Sequence, residues 1–365
     1  MASPAISLAG SCAQMVRDLG EIAKNNYAFD LGRQTGMLDA LFSPTNGAGR
    51  QSDSNISTTQ GGKKYITTKF HYKIRTKPCE ILTSNIPSVC QQGPQPVEQS
   101  VTSAINQQYS TPLRSFSNSQ MVNICQDTQA FIKEYVVSDI RALREKIDEY
   151  ALAFANAAVG RGPHQNQDVD TPPGGHKSIK LLGTSTDTGA QAPLYANFVN
   201  VLLDYQYNQL NGVPMIVGDG NIQKFWALQQ YSCCNAPGVL YDNAIATSGA
   251  AFFADTVASR IMGTNNFLSI APNVLHFLLF NENTNIDIDS PTRKNLVISD
   301  PLYPGIKYDW DWEYTCDKVW TYKISLWFDL FQAIRTDSFG TDNSPQIACE
   351  DELAGVTGIF GWTGN

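Results

Sequence analysis

Charge is scarce in this sequence. Asp, Glu, Lys and Arg together make up 16% of its 365 residues, against roughly a quarter in an average soluble domain. Bases are outnumbered as well: the formal net charge is −8, which argues against a dedicated nucleic-acid binder, whose affinity rests on Lys and Arg neutralising phosphates. Histidine is rarer still, with 4 in the chain, so imidazole chemistry has few candidates. The 8 cysteines (Cys12, Cys79, Cys90, Cys125, Cys233, Cys234, Cys316 and Cys349) include no C-x-x-C pair. Adjacent Cys233 and Cys234 have poor geometry for a mutual disulfide. Scattered cysteines of this kind read as small buried hydrophobes from a reducing compartment. Long apolar runs are missing too. The longest, Phe267 to Phe280, is shorter than a membrane span and is broken by Ser269, Pro272, Asn273 and His276. No basic residue precedes Cys12, and the apolar stretch there is too short and polar for a signal peptide. The expectation is a soluble cytoplasmic protein with no membrane attachment.

What is present is apolar and neutral-polar. Hydrophobic residues reach 42% and aromatics 10%, and Asn, Gln, Ser, Thr, Tyr and Gly replace the missing charge. A neutral polar surface costs less to desolvate than a charged one. Charge depletion with retained aromatics is also the composition of interface centres. An amide-rich protein without such an interface fits this composition equally.

Along the chain, Ala13–Asn25 and Leu31–Leu41 have helical patterning, and residues 45–62 are rich in Gly, Ser, Asn and Gln, as in an arm or linker. From Lys63 to Pro78 the pattern has period two. Ile66, Thr68, Phe70, Tyr72 and Ile74 fall on one side, and Lys69, His71, Lys73, Arg75 and Lys77 on the other, with no acid in the stretch. Two roles fit this strand: an ordinary edge strand with a solvated outer face, or a protruding β-arm that docks on an acidic neighbour, where charge sets register and partner choice. A Pro-, Gln- and Ser-rich loop is expected over 86–119. A very long helix follows over Gln120–Val159, with Ile132, Val136, Ile140, Leu143, Ile147, Tyr150 and Phe154 as its apolar stripe. Lys133, Glu134, Asp139, Arg141, Arg144, Glu145, Asp148 and Glu149 fill most of the other positions, as on a polar face. Gly160 and Gly162–Pro163 stop it, and at 1.5 Å per residue it would be roughly 50–60 Å long.

After a polar loop over 161–189, helices are expected at Leu194–Leu210, Asn221–Tyr231 and Ala250–Met262, and strands within 213–220 and at Val274–Phe280. In Tyr308–Cys316 aromatics alternate with acids, and Trp320, Tyr322, Ile324, Leu326, Phe328 and Leu330 give a partner strand its apolar face. A hairpin follows.

Few constellations suggest chemistry. His164, Asp168, Asp170 and His176 share a Pro/Gly-rich loop with no established ligand spacing. Gly218-Asp219-Gly220 lacks the rest of a phosphate-binding motif and reads as a tight turn. Asp309, Asp311 and Glu313 flank Trp310 and Trp312 as at a sugar-cleaving site. Paired catalytic carboxylates must instead face one another across a bond, about 5–10 Å apart. These project side by side from one strand face, as a solvated or interfacial acidic stripe. No nucleophile sits in a recognisable elbow. No catalytic, cofactor or metal site is expected, and no enzyme.

The order of these elements resembles that of the major capsid proteins of tailed bacteriophages, with the Hong Kong ninety-seven-like fold. The stretches GVPMIVGDGNIQKFWALQQ (212–230) and ADTVASRIMGTNNFLSIAPNVLHFLLFNEN (254–283) are particularly similar in texture. The resemblance implies an α+β chain of five parts: an N-terminal arm (1–60), an extended β-loop (61–118), a peripheral domain with a spine helix (119–209), a mixed α/β axial domain (210–300), and return strands with a C-terminal tail (301–365). It implies self-assembly into hexamers and pentamers of an icosahedral head around packaged double-stranded DNA, built in the host bacterial cytoplasm. A portal and decoration proteins would be partners. Residues 1–60 are too short and too weakly charged to be a built-in scaffold, so a separate scaffolding protein is implied. The basic residues Lys69, Lys73, Arg75 and Lys77 would contact a neighbouring subunit, with Asp309, Asp311 and Glu313 as the acidic counterpart. An encapsulin-like nanocompartment shell shares the fold; a carbohydrate-active protein using the Trp/Asp strand is an alternative of another class.

Overall fold

The computed structural model describes residues 34–46, 56–60, 63–73, 98–117, 128–160, 176–179, 182–184, 191–193, 201, 205, 210, 212–222, 250–284, 293–314, 319–332 and 358–364. In chain order its elements are α1 (Gly36–Leu41), β1 (Ile56–Gln60), β2 (Lys63–Lys73), β3 (Glu98–Ile105), β4 (Gln107–Ser110), β5 (Arg114–Ser117), α2 (Thr128–Ala157), β6 (His176–Ile179), β7 (Leu182–Thr184), β8 (Gln191–Pro193), β9 (Met215–Gly218), β10 (Ala251–Ala254), α3 (Ala258–Met262), β11 (Asn266–Ile270), β12 (Leu275–Phe280), β13 (Arg293–Ser299), β14 (Lys307–Tyr314), β15 (Val319–Gln332) and β16 (Ile359–Gly364). The fold is α+β.

Three sheets carry the architecture. A three-stranded antiparallel ribbon has the order β1-β2-β3. A five-stranded mixed sheet runs β10-β9-β11-β16-β6. A six-stranded sheet has the path β12-β15-β14-β13, with β4 and β5 pairing along the other edge of the long strand β15. A two-stranded β7-β8 pair stands apart.

The period-two pattern explains the six-stranded sheet. Trp320, Tyr322, Ile324, Leu326, Phe328 and Leu330 are all buried along β15, as are Tyr308, Trp310 and Trp312 on β14. Their shared face packs on Val136, Ile140, Leu143, Ile147, Ala151 and Leu152 of α2 in the main core. Burying one such side chain is worth about 1.5–3 kcal/mol, so this helix-on-sheet layer holds most of the fold together. The helix stops where expected: Gly160 donates its backbone N–H to the Ile359 carbonyl, which fastens the helix end to β16.

Several expectations need correction. Asp139, Arg144 and Asp148 do not face water; they are 3%, 7% and 0% exposed. The helix is covered on more than one side, and remote groups satisfy each charge. Arg114 and Tyr322 donate to Asp139, Arg144 donates to Asp300, and the Leu38 backbone N–H donates to Asp148. The 86–119 loop holds three strands, because Glu98–Ile105 pairs with β2 and the next two segments pair with β15. Ala250–Met262 is not one helix. Ala251–Ala254 extends beside β9 in parallel, Asp255 turns the chain, and only Ala258–Met262 is helical. β11 and β13 were not anticipated as strands. The C-terminal segment is no tail either: β16 sits inside the five-stranded sheet between β11 and β6, with Trp362 0% exposed.

The short helix α1 plugs the space between α2 and β10. The side chain of its N-cap, Thr35, makes no capping bond to the helix amides and pairs instead with the Tyr303 hydroxyl at 2.7 Å, so the first amides find carboxylates far along the chain. Met37 N–H donates to Asp255 at 3.3 Å and Leu38 N–H to Asp148 at 3.0 Å. Gly36 permits this approach, since a Cβ there would lie 2.3 Å from the Ala254 carbonyl oxygen. The expected helix Ala13–Asn25 lies outside the described residues.

Candidate functional site

The two surfaces singled out by sequence are the basic strand and the acidic strand. β2 is the central strand of the ribbon and not an edge, because β1 and β3 pair along both of its sides. Lys69 stands opposite Thr102 in register, and Lys73 opposite Glu98. Arg75 and Lys77 lie outside the described residues.

β14 gives a sharper correction. Asp309 is only 1% exposed and cannot belong to a surface stripe. The 3-10 turn Glu282–Thr284 folds over it. Its Oδ2 accepts the Glu282 N–H at 2.8 Å; its Oδ1 accepts the Asn283 N–H at 3.2 Å and an Asn281 side-chain N–H at 3.3 Å. Burial pushes the Asp309 carboxyl up to about 6, against the pull of those N–H groups, and the Asp311 charge adds to the rise. Asp311 is half-buried, accepts from the Asn283 side chain at 3.0 Å, and stands opposite Lys323. Glu313 is exposed and in register with Arg293. The acids of β14 are thus answered largely inside their own sheet and turn. This arrangement also leaves Asp309 no free oxygen with which to act on a glycosidic bond.

Of the other sequence candidates, His164, Asp168 and Asp170 lie outside the described residues, and His176 opens β6. Asp219 caps the turn after β9, accepting the N–H groups of Asn221 and Ile222 at 3.0 Å. That is the tight turn expected for Gly218-Asp219-Gly220.

Sequence reasoning missed the sites where the six-stranded sheet grips the spine helix. Asp139 takes two bonds from the Arg114 guanidinium, at 2.6 and 3.2 Å, and one from the Tyr322 hydroxyl at 2.8 Å. The Asp139 hydrogen bond raises Arg114 further above its already high value, and burial raises Tyr322. Further along, the Tyr150 hydroxyl donates to Asp329 at 3.0 Å, and burial pushes that phenol up to about 12. A charged residue at the flank of an apolar helical stripe was the available signal; its partners, Arg114 on β5 and Tyr322 on β15, were not.

No family model matches the sequence, and no curated protein matches it. Among solved structures the chain is similar to the capsid asymmetric unit of cyanophage A-1(L), at 11% identity and a TM-score of 0.46, over 73% of this chain and 84% of that one. It is similar to a protein of Mycobacterium phage Adephagia at 9% identity and a TM-score of 0.45, over 93% of each chain. The capsid of Myoviridae phage XM1 is similar at 11% identity and a TM-score of 0.41, covering 89% of this chain and 92% of that one.

Proposed function

We propose that this chain is a major capsid protein of a tailed bacteriophage, which assembles into hexamers and pentamers of an icosahedral head around double-stranded DNA. The observation that carries this reading is the ribbon. A three-stranded sheet shares no strand with the two larger sheets, and Asn106 alone separates its β3 from β4 of the six-stranded sheet. Such a ribbon, reaching out from the body, would find its complement on a second copy. A 30-residue helix backed by a six-stranded sheet gives it a stiff base. Scarce charge lowers the cost of burying the remaining surface between copies. A net charge of −8 suits a container that encloses DNA without adhering to it. The part played by the chain is then mechanical, with no catalytic step. The five-stranded sheet would face the local symmetry axis, and a scaffolding protein, a portal and decoration proteins would act from outside the chain.

Negative-stain microscopy of the purified full-length protein tests this directly. Closed icosahedral shells, or hexamers and pentamers, are expected. A monomer at high concentration whose tryptophan fluorescence responds to oligosaccharides would overturn it in favour of the carbohydrate-active alternative. Shells that hold a cargo enzyme and no DNA when isolated from their native source would point to a cellular nanocompartment.

A further inference from the structure

Among the described residues, β3 passes directly into the body. β3 ends at Ile105 and β4 begins at Gln107, so Asn106 alone separates a strand of the ribbon from a strand of the six-stranded sheet. Ile105 is 3% exposed and packs in a small core of its own with Leu278 and Phe280, flanked by Trp327 and Phe331. Asn106 is exposed, yet its backbone N–H is fixed: it donates to Asp329 Oδ2 at 3.1 Å. The other oxygen of that carboxylate accepts the Tyr150 hydroxyl of α2 at 3.0 Å and the Leu330 N–H at 2.8 Å. Asp329 is itself 8% exposed. On the far side of Asn106, the Gln107 side chain bonds the same Tyr150 hydroxyl. The Tyr150 ring is wedged edge-on between Tyr109 and Phe328, at 6.4 and 5.4 Å.

We infer that Asp329 is a positioning residue that clamps the root of the ribbon to the spine helix, so that the position of α2 sets the angle at which the ribbon leaves the body. Three physical points support this. A buried carboxylate needs its donors, and losing one leaves a charge under-satisfied at low dielectric. The donors come from the ribbon root, from β15 and from the helix, so any relative movement of these three elements strains one of the bonds. Antiparallel pairing then carries the angle outward, because Ile105 is in register with Ile66 and the whole of β2 moves with β3. The clamp operates within one chain and does not depend on assembly, so it stands or falls separately from the capsid reading.

Hydrogen exchange with residue-level fragmentation, on the unassembled full-length chain, tests it. Tyr150→Phe removes one hydroxyl and keeps the wedged ring. Exchange at the Asn106 amide and along β3 should rise about tenfold, the loss expected for one hydrogen bond to a charged group. The amides of Ile147 and Ala151 in α2 should stay protected. Asp329→Asn should raise the same amides at least as much, and the double variant should add little to it, as for groups acting through one contact. Tyr322→Phe is the control. It removes the same kind of hydroxyl bond between sheet and helix, at Asp139, and should leave Asn106 unchanged. If Tyr150→Phe leaves Asn106 unchanged, or if Tyr322→Phe raises it equally, the clamp is refuted and these bonds serve general stability only.

Discussion

Two opposing effects act on the carboxyl group of Asp309. Burial strips it of water and favours the neutral acid, while three N–H groups from residues 281–283 favour the anion. Burial wins, and the group titrates near 6 in place of 3.8. The native state therefore binds this proton more tightly than the unfolded chain does. Stability from Asp309 is absent above about pH 6, grows as pH falls through 6, and is complete below about 4, where the unfolded chain is protonated as well. Moving the carboxyl from 3.8 to about 6 corresponds to ~3 kcal/mol. Asp309→Asn removes this titration. The melting-temperature difference between wild type and variant should shift towards the wild type between pH 7 and pH 4.5, as followed by circular dichroism. A difference that stays flat across that window would show that Asp309 does not titrate there. The same burial explains why the residue misleads as text. In Tyr308–Tyr314 its alternation with aromatics looks like an outward acid; only the turn at Glu282–Thr284, folded over from elsewhere, turns it into an internal acceptor.

Elements differ in how far their own residues determine them. The β14–β15 hairpin and the spine helix were legible because their burial pattern repeats along the segment: side chains two apart on a strand, or three and four apart on a helix, share a face. β13 and β16 were not. Residues 293–299, RKNLVIS, have no alternation to announce a strand, and they extend because seven of them find β14 in antiparallel register. β16 reads Ile-Phe-Gly-Trp-Thr-Gly, whose two glycines disfavour a strand. It forms because β11 and β6 offer ladders on both of its sides. The anchors are Ile359, Phe360 and Trp362, all 3% exposed or less, with the Trp362 ring stacked on Phe267 at 6.3 Å. Trp362→Ala should cost about 3–5 kcal/mol, because the cavity would open inside the sheet and not at its edge. Urea denaturation should show the midpoint falling with little change in slope. A loss under ~1 kcal/mol, the level of an ordinary surface change, would mean that β16 is dispensable. The legible part of the ribbon was likewise β2 alone. That its root is held by Asp329 depends on three separate parts of the chain meeting, which no local pattern encodes.

Between whole molecules, two electrostatic effects compete. Each copy carries a net charge of −8, so copies repel one another at range. A proposed contact of Lys69 with an acid of another copy would act only at close range, and single exposed pairs are worth about 0–1 kcal/mol. Range decides which effect governs. The screening length is ~30 Å at 0.01 M salt and ~8 Å at 0.15 M, so moderate salt removes the long-range repulsion first and spares close contacts. Assembly followed by light scattering should therefore increase from 0.01 to 0.15 M salt. Assembly that is fastest at the lowest salt would show that attraction between ribbon and acid dominates instead. Lys69→Glu separates contact from background. It faces Thr102 across the ladder, so reversing it creates no like-charge pair within the ribbon, whereas Lys73→Glu would set two acids opposite each other. At 0.15 M the Lys69→Glu variant should melt as the wild type does and yet assemble several-fold more slowly. If it assembles at the wild-type rate, Lys69 does not lie at a contact between copies, and the ribbon docks through its uncharged residues.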